Sequence, residues 1–305
     1  AKPSKNNRAP QRKRMPAKVS LGAIAGATPE FLVATLGGIY EASPWVAERA
    51  HATIAKTASV TALAETMKAV VDGATEAEKT ALLNAHPDLA GRAALRGEVT
   101  ESSQTEQRRA GLDALTEEEL AKFTQLNDRY RVTFGWPFIL AVRHATPRTI
   151  LAAFERRVGA TAAAEFAECI AQVHKIAWMR LLETVEPAPT GFLTCHVLDT
   201  ANGVPAAGML VELARPHGRP KLEFVTNADG RLDGGPALRG ADFEPGVYEW
   251  AFHVGEYFAG KMGTPTAPTP FVDVVPIRFG IDNPESHYHV PLLCSPWTFS
   301  TYRGS

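Results

Sequence analysis

The chain has 305 residues, of which 45% are hydrophobic and 21% are charged, and its formal net charge is −1. This length predicts about two domains, and the composition is that of an ordinary soluble globular protein. The near-zero charge argues against a nucleic-acid or acidic-membrane partner, and no apolar run reaches the ~18 residues of a membrane span. An odd number of cysteines, Cys169, Cys195 and Cys294, favours free buried thiols in a reducing compartment over a disulfide framework.

The N-terminal segment is strongly basic. Residues 1–18 contain seven Lys or Arg, three Pro and no acidic residue. Because the segment lacks apolar periodicity, we predict a disordered, solvated tail over residues 1–24. A targeting or nucleic-acid-binding arm is the alternative.

Residues 25–186 have the pattern of helices. Thr28 precedes Pro29 in the manner of a helix start, and Thr75-x-x-Glu78 and Thr116-x-x-Glu119 have the form of capping boxes. In the last segment apolar residues recur at steps of three and four: Phe166, Ile170, Val173, Ala177 and Leu181. We predict an all-α, bundle-like domain of seven or eight helices.

A proline-rich linker over residues 187–190 ends the helical pattern. Beyond it, β-branched and aromatic segments alternate with Gly and Pro turns. Strands are predicted over residues 192–198, 209–214, 222–226, 247–254 and 271–279 and in two terminal segments. Asn227-Ala-Asp-Gly230 predicts a hairpin-type turn. Seven or eight short strands indicate an all-β sandwich over residues 191–305.

Four motifs of this C-terminal half resemble the 5-hydroxyisourate hydrolase family, the transthyretin-related enzymes of urate breakdown. They are Thr194-Cys-His-Val-Leu-Asp-Thr200, Asn227-Ala-Asp-Gly-Arg231, Tyr288-His-Val-Pro-Leu-Leu293 and Tyr302-Arg-Gly-Ser305. The terminal tetrapeptide is the most specific, because hormone-carrying transthyretins share the fold without it. The resemblance implies a transthyretin-like sandwich, with His196, Arg231 and His289 catalytic and Tyr302, Arg303, Gly304 and Ser305 binding substrate.

The chemistry of such a site is consistent with these residue types. Ring opening of a cyclic acyl urea by water needs a base near neutral pH, and either histidine can supply one. A guanidinium beside it disfavours the imidazolium and stabilises charge on the carbonyl oxygen. Taken alone, a strand histidine is more often a packed residue. A zinc site is the other alternative, formed from His196, His253, His287, His289 and Cys294, but no Cys-x-x-Cys or His-Glu-x-x-His pattern is present, so no metal is expected.

The helical half resembles the OHCU (2-oxo-4-hydroxy-4-carboxy-5-ureidoimidazoline) decarboxylase family. The resemblance is carried by Ser43-Pro-Trp-Val-Ala-Glu48, His86-Pro-Asp-Leu-Ala-Gly91, Ser103-x-x-Glu106-Gln107, Phe134-Gly-Trp-Pro-Phe-Ile139 and Arg180. It implies catalysis by His86, Glu106 and Arg180, substrate binding by Pro87 and Ser103, and no cofactor. By spacing alone, all of these are ordinary helix-end or surface residues. One departure is Ala42, which stands where the family's motif has histidine.

Together the halves resemble allantoin synthases, bifunctional fusions that convert 5-hydroxyisourate through OHCU to (S)-allantoin. Tethering raises the concentration of the unstable intermediate at the second site. The resemblance implies a homo-oligomer, a tetramer through the β-domain with paired decarboxylase domains, in the cytoplasm or in a eukaryotic peroxisome. The alternatives are a hydrolase with a non-catalytic helical assembly domain, to which Ala42 points, and a transthyretin-like binding protein.

Overall fold

A computed structural model describes residues 17–91, 99–262 and 269–304. These residues divide into two compact units. One holds residues up to Thr57 together with Leu63–Glu186, and the other holds Ala58–Ala62 together with the residues from Pro187 onward. The first unit is helical and the second is built on two β-sheets, so the predicted fold class, an all-α domain followed by an all-β sandwich, is confirmed.

Nine α-helices lie in the described part of the helical half, more than the seven or eight predicted. They are α1 Leu21–Ala25, α2 Pro29–Leu36, α3 Trp45–Ile54, α4 Val60–Asp72, α5 Glu76–Asn84, α6 Glu101–Arg109, α7 Glu117–Phe134, α8 Pro147–Arg157 and α9 Ala162–Thr184. The capping boxes begun by Thr75 and Thr116 are both formed, because each Thr hydroxyl and the Glu three residues on satisfy backbone N–H groups that the first turn leaves free. No described helix is long and apolar enough to cross a membrane.

The prediction of a disordered tail over residues 1–24 is compared with the structure only from residue 17 onward. Residues 1–16 lie outside the described residues. From residue 17 the chain differs from the prediction: Val19 N–H donates to Thr184 O at 2.9 Å, and Ile24 on α1 is buried. The reason is the apolar run after Lys18, which buries side chains that the cation pattern had assigned to the tail.

Helix α9 carries the buried face on which the site of this unit depends. Val173, Ala177 and Leu181 are buried as predicted, whereas Phe166 and Ile170 are only half-buried. The buried face also takes in polar side chains, Glu165, Gln172 and Arg180. Arg180 is therefore buried in the helical unit, although from the sequence alone a charged residue at this position is expected at the surface.

The strands of the second unit form two sheets. They are β1 Phe192–Asp199, β2 Val204–Pro205, β3 Leu210–Ala214, β4 Leu222–Val225, β5 Leu238–Arg239, β6 Gly246–His253, β7 Val274–Ile281, β8 His287–Cys294 and β9 Phe299–Thr301. One sheet has the order β2-β1-β8-β9 with β5 also on β1, and the other has the order β4-β3-β6-β7. Strands β1 and β8 run parallel, and their inward residues, including Leu193, Cys195 and Leu292, are part of one core with Trp250 and Phe252.

Two features of this unit differ from the sequence prediction. A helix, α10 Val254–Met262, follows β6 directly. Its residues Val254, Tyr257 and Phe258 are buried, and their helical spacing was not considered when the strand was predicted. The strand predicted to begin at Phe271 begins at Val274, and the Phe271 side chain is exposed.

Candidate active sites

His86 lies just beyond the C-terminal end of α5 with its ring buried. Its backbone N–H donates to Leu83 O at 3.1 Å, and its ring Nδ1 lies 2.9 Å from Leu82 O. A carbonyl oxygen can only accept, so Nδ1 carries the ring proton and Nε2 keeps its lone pair. Burial, together with the positive charge of Arg180, lowers the pKa of His86. His86 is thus a neutral imidazole at pH 7 with a proton-accepting nitrogen.

Glu106 and Arg180 form a two-pronged ion pair. Arg180 Nε donates to one carboxylate oxygen of Glu106 at 2.9 Å, and Nη2 donates to the other at 3.1 Å. Ser103, three residues before Glu106 and on the same face of α6, accepts from Nη2 at 3.3 Å. Although burial opposes its charge, the hydrogen bonds of Glu106 and the nearby carboxylates raise the pKa of Arg180. Arg180 is only 5% exposed, and its paired hydrogen bonds fix the plane of the guanidinium.

Sequence reasoning missed a second carboxylate at Arg180, the buried Glu41. Its Oε2 lies 2.7 Å from Arg180 Nη2 and accepts from Ser103 Oγ at 3.0 Å, and its Oε1 accepts from Thr100 Oγ1 at 2.7 Å. Burial alone would raise the pKa of Glu41, but Arg180 and these donors lower it. Glu41 therefore stays ionised and, together with Glu106, contacts Nη2 of Arg180 and holds the guanidinium in place. A charged residue amid the apolar Ile39–Trp45 segment was the only sequence signal for it.

Ala42, the departure from the family motif, lies outside this cluster. It is exposed, whereas Glu41 and Ser43 on either side are buried. Its φ of 43° is in the left-handed region, which costs a non-glycine residue about 1–3 kcal/mol. The turn at Ala42 is therefore held by its neighbours, and its own side chain is not among the described residues that line the pocket.

An open pocket of about 350 Å³ brings together the five site residues predicted in this half. The predicted residues are His86, Pro87, Ser103, Glu106 and Arg180, and the rest of the lining is Gln107 together with the apolar Leu89, Phe138, Ile139, Leu140, Val142 and Ile176. Gln107, also missed, accepts from Ala90 N–H at 2.9 Å and so holds the loop after His86. A base, a fixed cation and apolar walls suit a small, flat, oxygen-rich anion.

In the β unit, strand register places two of the predicted catalytic histidines on one sheet face. Thr194 on β1 is the partner of His289 on the parallel strand β8. Because side chains alternate along a strand, His196 shares this face with Thr194. Thr194 Oγ1 lies 2.9 Å from His289 Nδ1 and 2.8 Å from Nε2 of His287. Neither Thr194 nor His287 was among the predicted site residues.

A tight turn brings Arg231 to the same place. Asn227 Oδ1 accepts from the backbone N–H groups of Asp229 and Arg231, both at 3.0 Å. Gly230 has a φ of 71°, and a Cβ there would lie 2.2 Å from Val197 O, so only glycine fits. The turn ends in a β-bridge between Arg231 and His196.

The electrostatics of this face favour neutral imidazoles. Burial and the charge of Arg231 lower the pKa of His196. Burial, Arg231 and the two other imidazoles, His287 and His196, lower the pKa of His289. Both histidines are therefore available as bases at neutral pH.

The C-terminal tail reaches this face only in part. Gly304 N–H donates to His289 O at 2.9 Å, and a Cβ on Gly304 would lie 2.5 Å from His289 Cδ2. Tyr302 is 59% exposed. The Arg303 guanidinium lies 4.5 Å from the ring of Tyr288, which is buried on the opposite side of β8, so the structure does not bring Arg303 to the imidazoles. Ser305 lies outside the described residues.

Two of the five side chains of the zinc alternative, His253 and Cys294, lie apart from the three imidazoles of the β1–β8 face. His253 on β6 lies 3.7 Å from Glu212 on β3, in the other sheet. Cys294 is buried and its Sγ lies 3.6 Å from Leu198 O. Within the described ranges no three His, Cys, Asp or Glu side chains are grouped as metal ligands would be.

Two family models match the chain, one in each half. The OHCU decarboxylase model matches residues 26–182, and the HIUase/Transthyretin family model matches residues 193–304.

Individual relatives show the same division. The 5-hydroxyisourate hydrolase of Pseudomonas aeruginosa is 49% identical over 123 residues, which are 39% of this chain and 95% of the relative. The 2-oxo-4-hydroxy-4-carboxy-5-ureidoimidazoline decarboxylase of Haloferax volcanii is 43% identical over 151 residues, which are 50% of this chain and 87% of the relative. A crystal structure of (S)-allantoin synthase is 48% identical with a TM-score of 0.80, and the match covers 94% of this chain and 100% of that one.

Proposed function

Because the chain belongs to the OHCU decarboxylase family over residues 26–182 and to the HIUase/transthyretin family over residues 193–304, we propose that it is a bifunctional enzyme of urate breakdown. It hydrolyses 5-hydroxyisourate to OHCU and decarboxylates OHCU to (S)-allantoin. The observation that carries this proposal is the match with (S)-allantoin synthase over 94% of this chain and 100% of the other. Both activities are thereby assigned to one polypeptide, and a helical domain that only assembles is not favoured.

In the hydrolase reaction a neutral imidazole takes a proton from water. The water oxygen bonds to the acyl carbon, and the electron pair of the carbonyl moves onto its oxygen, beside the Arg231 guanidinium. The tetrahedral intermediate then collapses, the ring C–N bond breaks, and the imidazolium returns its proton to the departing nitrogen. The lowered pKa values of His196 and His289 keep both rings in the form that starts this sequence.

In the decarboxylase reaction the substrate itself holds the electrons. The bond between carbon and carboxylate breaks, CO₂ leaves, and the electron pair is delocalised into the imine and carbonyl of the ring. The helical unit then has to orient the carboxylate and deliver a proton to one face. Arg180, fixed by Glu41 and Glu106, orients the substrate. His86 delivers this proton: with one proton already on Nδ1, its ring takes a second proton from solvent at Nε2 and transfers it to the carbanion, which leaves the ring neutral again.

The coupled reaction tests this proposal directly. Purified full-length chain is mixed with freshly prepared 5-hydroxyisourate, and absorbance and circular dichroism are followed together. We expect the absorbance of 5-hydroxyisourate to fall faster than in buffer and an optically active allantoin to accumulate. Racemic product after fast hydrolysis would leave only the hydrolase, and unchanged decay would favour a binding protein.

We further propose that the protein assembles as a homo-oligomer, a tetramer through the β unit with the helical units paired. The support is the open character of the β face, where Arg231 is exposed, and the apolar side chains Trp297 and Phe299, which are 65% and 48% exposed in one chain. Sedimentation velocity measures the mass, and a monomer at micromolar concentration would contradict this.

The three free, buried cysteines fit the proposed reducing location, the cytoplasm or a eukaryotic peroxisome.

A further inference from the structure

Three side chains on the β1–β8 face, Thr194, His287 and His289, form a continuous hydrogen-bond network, and only His289 was among the predicted catalytic residues. Thr194 Oγ1 sits between two imidazole nitrogens, His289 Nδ1 at 2.9 Å and His287 Nε2 at 2.8 Å. Both distances are those of good hydrogen bonds. A hydroxyl has one proton to donate, so if it donates to one ring it accepts from the other. The protonation of the two histidines is thus linked through Thr194.

His287, at one end of this hydrogen-bond network, is held in place. The His287 ring stacks on Phe192 with the centroids 4.2 Å apart and the planes 23° apart. Phe192, Thr194, His287 and His289 are all half-buried, and β1 and β8 are paired along their full length, with Phe192 opposite His287 and Thr194 opposite His289. The chain is therefore built on two rigid strands and is partly shielded from water.

Only one direction of this chain keeps both hydrogen bonds while His289 exchanges a proton. If Thr194 donated to His289 Nδ1, protonation of His289 would place two donors face to face and break that bond. If Thr194 donates to His287 Nε2 and accepts from His289 Nδ1–H, both bonds survive in the neutral ring and in the imidazolium. In that direction the neutral His289 has its lone pair on Nε2, the nitrogen that can take a proton from water.

Resting on the hydrolase activity proposed above, we propose that Thr194 and His287 are positioning residues that hold His289 in the tautomer of a general base. The chain runs from His289 Nδ1–H to Thr194 and from the Thr194 hydroxyl to His287 Nε2. It assigns the proton-accepting step to His289 and leaves His196 and Arg231 to bind substrate and stabilise the developing oxyanion. The charged and titratable groups that face His289 are Arg231, His196 and His287; Gly304, from the tail, contributes a backbone N–H.

Matched substitutions in the full-length chain test this proposal. Thr194→Val removes the hydroxyl at nearly constant volume, and Thr194→Ser keeps it. We expect Thr194→Val to lower kcat for 5-hydroxyisourate by on the order of 10- to 100-fold with KM within about twofold, and Thr194→Ser to recover most of the loss. Because the imidazolium of His289 loses its acceptor, the acid limb of the kcat/KM profile moves to lower pH in Thr194→Val.

The His287 pair tests the direction of the chain. His287→Gln retains an acceptor for the Thr194 hydroxyl, and His287→Leu does not. In His287→Leu the hydroxyl turns to His289 Nδ1 and moves the ring proton to Nε2, so kcat falls more than in His287→Gln. Nitrogen-15 NMR of the imidazoles reports the tautomer without any turnover: Nδ1 of His289 is protonated in the wild type and Nε2 in His287→Leu.

The outcomes separate this inference from the proposed function. A wild-type chain that does not hydrolyse 5-hydroxyisourate would remove the function. If the wild-type protein hydrolyses 5-hydroxyisourate but Thr194→Val has an unchanged kcat and an unchanged acid limb, the positioning role of Thr194 and His287 would be refuted. His196 would then be the general base. Unchanged sedimentation of each variant and unchanged β-sheet signals in its NMR spectrum exclude misfolding as the cause of lost hydrolysis. A Thr194→Val variant with a raised KM and unmoved acid limb would mean that Thr194 only binds or packs, and would also overturn the proposal.

Discussion

The helical pocket and the β-sheet face differ in how completely a single chain builds them. In the helical unit the charges are paired, since the buried Arg180 contacts the buried Glu41 and the half-buried Glu106, and His86 is anchored to a backbone carbonyl. On the β face the imidazoles are half-buried and Arg231 is exposed. Where charges are buried and paired, losing one partner should cost stability as well as activity. An open face leaves its fold insensitive to the same substitutions, so stability and activity should separate there.

The largest effect should come from Arg180. Arg180→Met leaves Glu41 and Glu106 without their cation, and breaking a buried pair costs about 3–5 kcal/mol. We expect a lower melting temperature of the helical unit and no optically active allantoin, while 5-hydroxyisourate hydrolysis continues. Calorimetry and the two activity assays measure this. Equal stability and retained stereoselectivity would contradict the role assigned to the ion pairs of Arg180 with Glu41 and Glu106.

Gly304 on the β face should show the opposite separation. Gly304→Ala places a Cβ within 2.5 Å of His289 Cδ2, so the tail or the imidazole must move. Hydrolysis should fall on the order of 10-fold or more, since displacing a reacting group by about 1 Å can cost up to 100-fold. Melting and OHCU decarboxylation should be unchanged. Full hydrolase activity in this variant would mean that the tail does not position His289.

Glu41→Gln sharpens the account of the helical pocket. The variant keeps the shape of the side chain but removes one of the two negative charges that pair with Arg180. We therefore expect decarboxylation to be slower by about 10-fold and the stability at pH 7 to be reduced. Because the folded-state pKa of Glu41 is lowered, its contribution is complete above the ordinary carboxyl pKa of about 4.3 and is lost as pH falls through the lower folded value. The difference in melting temperature between wild type and variant should therefore shrink below about pH 4. A difference that is constant from pH 7 to pH 3 would contradict this assignment.

Ala42→His should have the smallest effect. The Ala42 side chain is exposed while its neighbours carry the contacts, so restoring the family's histidine should change kcat/KM for decarboxylation by less than about twofold. The coupled assay measures this. A gain of tenfold or more would show that the missing histidine had limited the helical site.

Short motifs in the sequence named the candidate residues of both sites, but sequence reasoning failed where the signal was three-dimensional. The order of helices and strands follows from apolar periodicity, caps and turns, which are local. Glu41 lies 59 residues from Thr100 and 62 residues from Ser103 in the sequence, and no spacing rule links it to either, so their network could be seen only after folding. Arg180 itself could be named from a motif but not placed, because a stripe of apolar residues does not say where a charge joins its buried face.

On the β face the same limit affects the C-terminal tail and the hydrogen bonds of Thr194 with His287 and His289. The terminal tetrapeptide was recognisable, yet its alternation places Arg303 beside Tyr288 and Gly304 beside His289. Thr194 and His287 sit within the quoted motifs or next to them, but their importance depends on the parallel register of β1 and β8, which no turn or cap in the sequence specifies.

The most direct measurement is circular dichroism of the allantoin formed from fresh 5-hydroxyisourate by the wild type and by His86→Ala. The two-site account predicts (S)-allantoin from the wild type, and racemic allantoin from His86→Ala at an unchanged rate of 5-hydroxyisourate loss. Racemic product from the wild type, or (S)-allantoin from His86→Ala at the wild-type rate, would contradict it.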